Sequence, residues 1–191
     1  MVTNEIIYFE RPGPHNTHEV IEAVKRRCKE IAISYIVVAS NSGTTALALW
    51  EAMRDSDVKI ISVSGHAGWS GGDEPSMSQE KKDELGANGV KVLTASHVLS
   101  GVARSISNKF GGVSHVEIIA HTLRLLGQGM KVAVEISVMA ADAGLIPTDA
   151  EIIAIGGSGK GADFAAVIKA AHMNNFFDLE IREIIAMPRK K

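Results

Sequence analysis

One cysteine, Cys28, is all the thiol that this 191-residue chain carries, which excludes an intrachain disulfide and a thiolate zinc site. Aromatics are nearly as scarce, at 5% of the residues, while Ala, Ile, Val and Gly abound. That palette suits a parallel sheet covered by helices. Neither sign of charge is in excess. The formal net charge of −2 leaves no electrostatic footprint for nucleic acid or an anionic membrane. The only basic cluster, Arg189-Lys190-Lys191, reads as a solvated end. No apolar run is long enough to span a bilayer, and the first residues lack a signal-peptide pattern, so the expected location is the cytoplasm. Apolar residues still make up 46% against 22% charged, the balance of a chain that buries a core. The length fits one domain, residues 1–191.

The densest signal is the stretch from Ile36 to Ala46. A β-branched run ends in Ser40-Asn41-Ser42-Gly43-Thr44-Thr45, and a helix-forming run from Ala46 to Met53 follows at once. The first turn of a helix presents unpaired N–H groups and the positive end of its dipole. Ser and Thr add hydroxyls, and Gly43 lets a ligand approach the backbone. The pattern describes a cup for a phosphate or similar anion. A single Ser here would read better as an N-cap, but four hydroxyls in six residues favour the anion site.

Further elements follow from periodicity. Ile6–Phe9 is a strand, and Asn16 with Glu19 forms a capping box for a helix carrying Val20, Val24, Cys28 and Ile31 on one face. Cys28 is thereby a small apolar residue and not a nucleophile. Val58–Val63 is a strand leading into a glycine-rich loop at 64–72, and Ser78–Leu85 an exposed helix. Val90–Leu93 is a strand ending in Thr94-Ala95-Ser96-His97. Helices are expected at Val98–Phe110, from Ser114 (with Glu117 as a capping box) to Leu126, and at Met130–Ala143. Glu151–Ile155 is a strand, Ala162–His172 a helix and Leu179–Met187 a last strand. The alternation predicts a three-layer αβα fold with a mainly parallel sheet. Ligands bind such sheets outside the carboxyl ends of the strands.

Four loops should share that rim. Their candidate binding residues are Ser40, Asn41, Ser42, Gly43, Thr44 and Thr45; Gly65, His66 and Trp69; Thr94 and His97; and Gly156, Gly157, Ser158, Gly159 and Lys160. Gly159-Lys160 imitates a phosphate-binding P-loop, but Ala154 stands where its first glycine belongs and Gly161 where its magnesium-binding hydroxyl belongs. Gly157-x-Gly159-x-x-Ala162 fits a permissive dinucleotide fingerprint, yet too little chain follows for a second half. Trp69 is either a lid over the core or a stacking surface, whereas Trp50 sits on an apolar helix face. Lys160 offers a point charge to a phosphate. Glu117 and His121 have metal-compatible spacing without a third ligand and read as a surface pair, so no metal is expected. No nucleophile, base and orienter can be assembled from spacing, so catalytic residues stay unassigned. Glu135, inside an apolar helix, faces solvent by default or is placed for function.

The Ile36–Ala46 segment, with Lys59-Ile60-Ile61-Ser62-Val63 and Ala140–Gly157, resembles the C-terminal α/β domain of pyruvate kinase in its stand-alone archaeal and bacterial form. The resemblance covers residues 36–191, ending with Leu179–Met187, and leaves residues 1–35 as an added strand and helix. It implies a sheet whose last strand is antiparallel, and a phosphate loop at Ser40, Ser42, Gly43, Thr44 and Thr45, with Asn41 replacing an often acidic residue. It also implies effector contacts from Gly156–Gly161. Since the catalytic barrel is missing, no pyruvate kinase activity is expected. The stand-alone relatives are associated with flavin mononucleotide (FMN). The expectation is therefore a domain that binds a phosphorylated small molecule, with FMN as cofactor. The alternatives are a flavin-dependent oxidoreductase or other enzyme using His66 or His97, and a regulatory module that forms a homo-oligomer.

Overall fold

The computed structural model describes residues 3–69 and 71–190. Ser70 of the glycine-rich loop and Lys191 of the basic tail lie outside the described residues. In chain order the elements are β1 (Ile7–Phe9), α1 (Thr17–Glu30), β2 (Tyr35–Ala39), α2 (Thr44–Met53), β3 (Lys59–Ser64), α3 (Gln79–Ala87), β4 (Lys91–Thr94), α4 (Val102–Phe110), α5 (His115–Leu123), α6 (Gln128–Asp142), β5 (Glu151–Gly156), β6 (Phe164–Lys169) and β7 (Glu180–Pro188). The strands form one sheet in the order β1-β7-β6-β5-β2-β3-β4. Strands β5, β2, β3 and β4 pair in parallel. β6 pairs antiparallel with both β5 and the last strand β7, and β1 adds parallel to β7 at the edge.

Alternation along each strand divides the core between two faces. Ile36 and Val38 of β2 and Ile153 and Ile155 of β5 pack with Val20, Val24, Leu49 and Leu85 of α1, α2 and α3. Val37, Ile152 and Ala154 face the other way, against Met130, Ala133 and Ile136 of α6. This is the expected three-layer arrangement. At its tightest point α6 lies almost on the sheet: a Cβ added to Gly156 would fall 2.2 Å from the carbonyl oxygen of Gly129.

Several local expectations are corrected. Residues 162–172 are not a helix; Phe164–Lys169 is β6. From Phe164 to Ile168 every side chain is fully buried. A strand covered on both faces shows no alternation, and its alanines imitate a helix former. The Asn16–Glu19 capping box does not form. A 3₁₀ turn over Pro14–Asn16 precedes α1, and the Asn16 side chain donates through Nδ2 to the Arg11 carbonyl at 2.8 Å. α4 starts at Val102 and not at Val98, because Gly101 takes a positive φ of 62° just before it. The α5 segment keeps its Ser114–Glu117 box but tightens into a 3₁₀ turn at Arg124–Leu126. Cys28 and Trp50 are half-buried against the first core face, and burial pushes the Cys28 thiol up to about 11, consistent with a packing role. No helix among the described residues is long and apolar enough to cross a membrane.

Candidate functional site

β2, β3, β4 and β5 end on one edge of the sheet, so the four loops emerge side by side in the order Gly156–Gly161, Ser40–Thr45, 64–72, Thr94–His97. The turn after β2 is built on Gly43, which takes φ +84° and caps α2 without a side-chain bond. Ser40 is buried and its hydroxyl accepts from the Ala46 amide at 3.3 Å, so one first-turn donor is already occupied. The amides of Thr44 and Thr45 keep the role of unpaired helix-end donors. Ser42 and Thr44 are exposed, with their hydroxyls 3.1 Å apart, and Thr45 is buried. The stem of Lys81 from α3 lies across Gly43, where an added Cβ would come within 2.4 Å of its Cγ. Sequence patterning had given Lys81 no role. Its ammonium is paired with Glu84, one helical turn further along α3.

Asn41 connects this turn to the next loop: its Oδ1 accepts from the Gly65 amide at 2.8 Å. Gly65 is buried beneath Trp69, and the hydroxyl of Ser76 sits against it, buried and without a partner among the described residues. Trp69 is 39% exposed and stacks on His97, with centroids 4.4 Å apart and planes tilted by 34°. His66 closes the group edge-on, 5.7 Å from Trp69 and 5.9 Å from His97. One face of Trp69 is thus covered by His97 of the same chain. The other side of the group opens into a cleft of about 500 Å³ lined by His66, Trp69, Gly101, Arg104, Ser105 and Lys109. Thr94 is held by Ser64, hydroxyl to hydroxyl, at 2.7 Å.

Beneath His97 lies a charge network that spacing did not reveal. Glu135 is buried, not solvent-facing. Its Oε1 accepts from the Leu99 amide at 2.9 Å, and its Oε2 meets Lys131 Nζ at 2.5 Å and His97 Nδ1 at 3.3 Å. The His97 contact is close enough for charge but too poorly aligned to count as a hydrogen bond, and neither ring nitrogen has another partner among the described residues. Burial raises the Glu135 carboxyl, but His97 and the Lys131 ammonium outweigh it and hold the group below its ordinary value. Burial lowers Lys131, and Glu135 offsets only part of that.

The late glycine loop is arranged differently from the other three. Because β6 follows it, the chain through Gly156, Gly157, Ser158, Gly159 and Lys160 does not run on into a helix, and the N-terminal turn of α6 behind Gly156 comes from another part of the sequence. The loop closes on itself, with the Lys160 amide donating to the Ser158 carbonyl at 3.2 Å, and Gly161 abuts Pro14 and Thr17. Lys160 is exposed. Glu117 is spent on Ser107 and Ser114, and His121 is exposed. A second cleft, of about 370 Å³, lies between β1 and the later turns of α1. Its Arg27 is committed to Glu183 and Glu30.

The family model described as pyruvate kinase, alpha/beta domain, matches residues 18–168. Among solved structures, Cryptosporidium parvum pyruvate kinase in complex with ADP is similar at 18% identity and a TM-score of 0.43, over 84% of this chain. The chain spans 25% of the length of that protein. The matched span opens inside α1 and closes in β6.

Proposed function

The chain belongs to the pyruvate kinase alpha/beta domain family, and within that family we propose that it is a binding domain for a phosphorylated small molecule, with FMN as the ligand. The Thr44 and Thr45 amides, the Ser42 and Thr44 hydroxyls and the Lys81 ammonium hold the phosphate. Trp69 and His66 face the ring. One observation carries the reading: the Asn41–Gly65 hydrogen bond fastens the hydroxyl-rich turn to the loop that presents the aromatic group. A flat ring on a phosphate tether needs both together. The test is a titration of the purified protein with FMN, riboflavin and inorganic phosphate, followed by flavin and tryptophan fluorescence. FMN is expected to bind at least tenfold more tightly than riboflavin, with phosphate competing. Equal affinity for FMN and riboflavin sinks the phosphate cup, and no flavin binding at all sinks the cofactor.

A second reading, an enzyme that moves a proton through His97, is supported by the Glu135 carboxylate set against Nδ1 of that ring. Flavin reduction in the loaded protein should then slow in His97→Asn while FMN affinity holds. Unchanged reduction leaves the binding reading alone.

A further inference from the structure

The cleft beside Trp69 has two unlike walls. The rings of His66 and Trp69 make one, and the flank of α4 that carries Arg104, Ser105, Asn108 and Lys109 makes the other. None of the described lining residues is acidic. Arg104 and Lys109 form no ion pair with any described residue. Glu117 meets α4 at Ser107, outside the lining. The positive charge also extends inward. Burial lowers Lys131 first, and the charges of Arg124 and Arg104 lower it further, against the one carboxylate of Glu135. A cleft of one charge sign, set against low-dielectric walls, concentrates ligands of the opposite sign.

We propose that this cleft is a binding subsite for a small organic dianion, with Arg104 and Lys109 each holding one of its two anionic groups. Arg104 offers a planar fork that matches the edge of a carboxylate or phosphate, and Lys109 a mobile point charge. The two lie five positions apart on α4, roughly 7.5 Å along the axis at 1.5 Å per residue, so one compact inorganic ion does not span them. Ser105 and Asn108 lie between them on the same flank and add neutral donors. A volume of about 500 Å³ is that of a metabolite site, whereas a particle the size of a water fills only about 30 Å³. The ring wall gives the carbon chain of the ligand a surface to lie on. The subsite stands on its own lining. That its ligand is a second reactant beside a flavin rests on the FMN reading.

Calorimetric titration of the full chain in about 0.15 M salt tests this. The dianionic probes are succinate, glutarate and 2-phosphoglycolate; butyrate and succinamide are controls that lack one charge or both. At least one dianion is expected to bind, with butyrate roughly tenfold weaker or worse. Arg104→Gln and Lys109→Gln should each cost that dianion roughly tenfold in affinity and leave FMN affinity at the wild-type value. Both side chains are exposed, so the fold should survive, which circular dichroism checks. Failure of all three dianions to bind at millimolar concentration overturns the proposal, and so does an affinity that neither substitution changes. Loss of FMN binding in either variant also overturns it, since the wall would then belong to the flavin. Dianion binding by a wild type that takes no FMN upholds the subsite and sinks only the flavin reading.

Discussion

Glu135 is the residue on which the most chemistry converges. It places a carboxylate where nothing but protein can solvate it, and there the Leu99 amide and the Lys131 ammonium donate to it while His97 Nδ1 stands 3.3 Å from the same Oε2. Such a pair contributes little net stability, but removing one partner strands the other charge. Glu135→Gln is therefore expected to destabilise the fold by about 3–5 kcal/mol, read as a fall in the urea midpoint. Lys131→Met with Glu135→Leu should recover most of that, since an apolar pair of similar volume needs no solvation. The pH dependence has one sign for both groups. Each folded pKa is lowered, so the unfolded chain binds more protons within each window and stability rises with pH. Glu135 contributes fully above its ordinary 4.5, and that contribution is lost as the pH falls through its lower folded value. The burial penalty on charged Lys131 is present at neutral pH and is relieved as the pH climbs toward 10.5. Denaturation midpoints along both limbs check the sign. Spacing exposed Glu135 as an odd carboxylate in an apolar helix. It could not expose His97, which arrives from another element, and so the default of a solvent-facing position was wrong.

At the scale of elements, the turn before α2 was legible because its signal is local. A β-branched run, a hydroxyl cluster and one glycine lie within a dozen residues, and each dictates its conformation without help from afar. The crossing of Lys81 over Gly43 was not legible, since it depends on how α3 packs. β6 was misread for a related reason: Phe164-Ala165-Ala166-Val167-Ile168 is flanked by β5 and β7, and only its pairing tells it from a buried helix. The same distinction removes the expected helix after Lys160 and concentrates the phosphate reading on α2. Gly43→Ala tests that concentration. A φ of +84° costs an L-residue roughly 1–2 kcal/mol, and the new methyl would also displace the Lys81 stem. Thermal melts should show the loss of stability, and FMN affinity should fall tenfold or more. Adding Lys81→Ala should return the steric part of the stability and none of the backbone part. A Gly43→Ala protein that binds FMN as tightly as wild type would mean that the ligand does not use this turn.

Across the whole molecule, the question is what holds the N-terminal strand and helix to the sheet. Asp163, fully buried at the start of β6, answers much of it. Its Oδ2 accepts from the amide of Gly13 at 2.9 Å and from that of Ser158 at 3.1 Å, and its own amide donates to Gly156. Oδ1 has no partner among the described residues, but it lies beside Gly129 in the first turn of α6, where the positive end of the helix dipole favours a carboxylate. Thr17 adds a second tie by accepting from the Ala162 amide at 2.9 Å, and Arg27 a third through its fork on Glu183. One carboxylate thus fastens the segment before α1 to the late glycine loop, which explains why that loop is closed and turned toward α1. Asp163→Ala would leave two amides without their acceptor, at about 1–3 kcal/mol each. Because the loss falls on one junction, it should be uneven. Hydrogen exchange is expected to quicken through residues 7–24 and 156–162, while the parallel strands β2 and β3 keep their protection. If every strand quickens equally, the N-terminal segment and the sheet open as one cooperative unit, and the junction at Asp163 has no separate role.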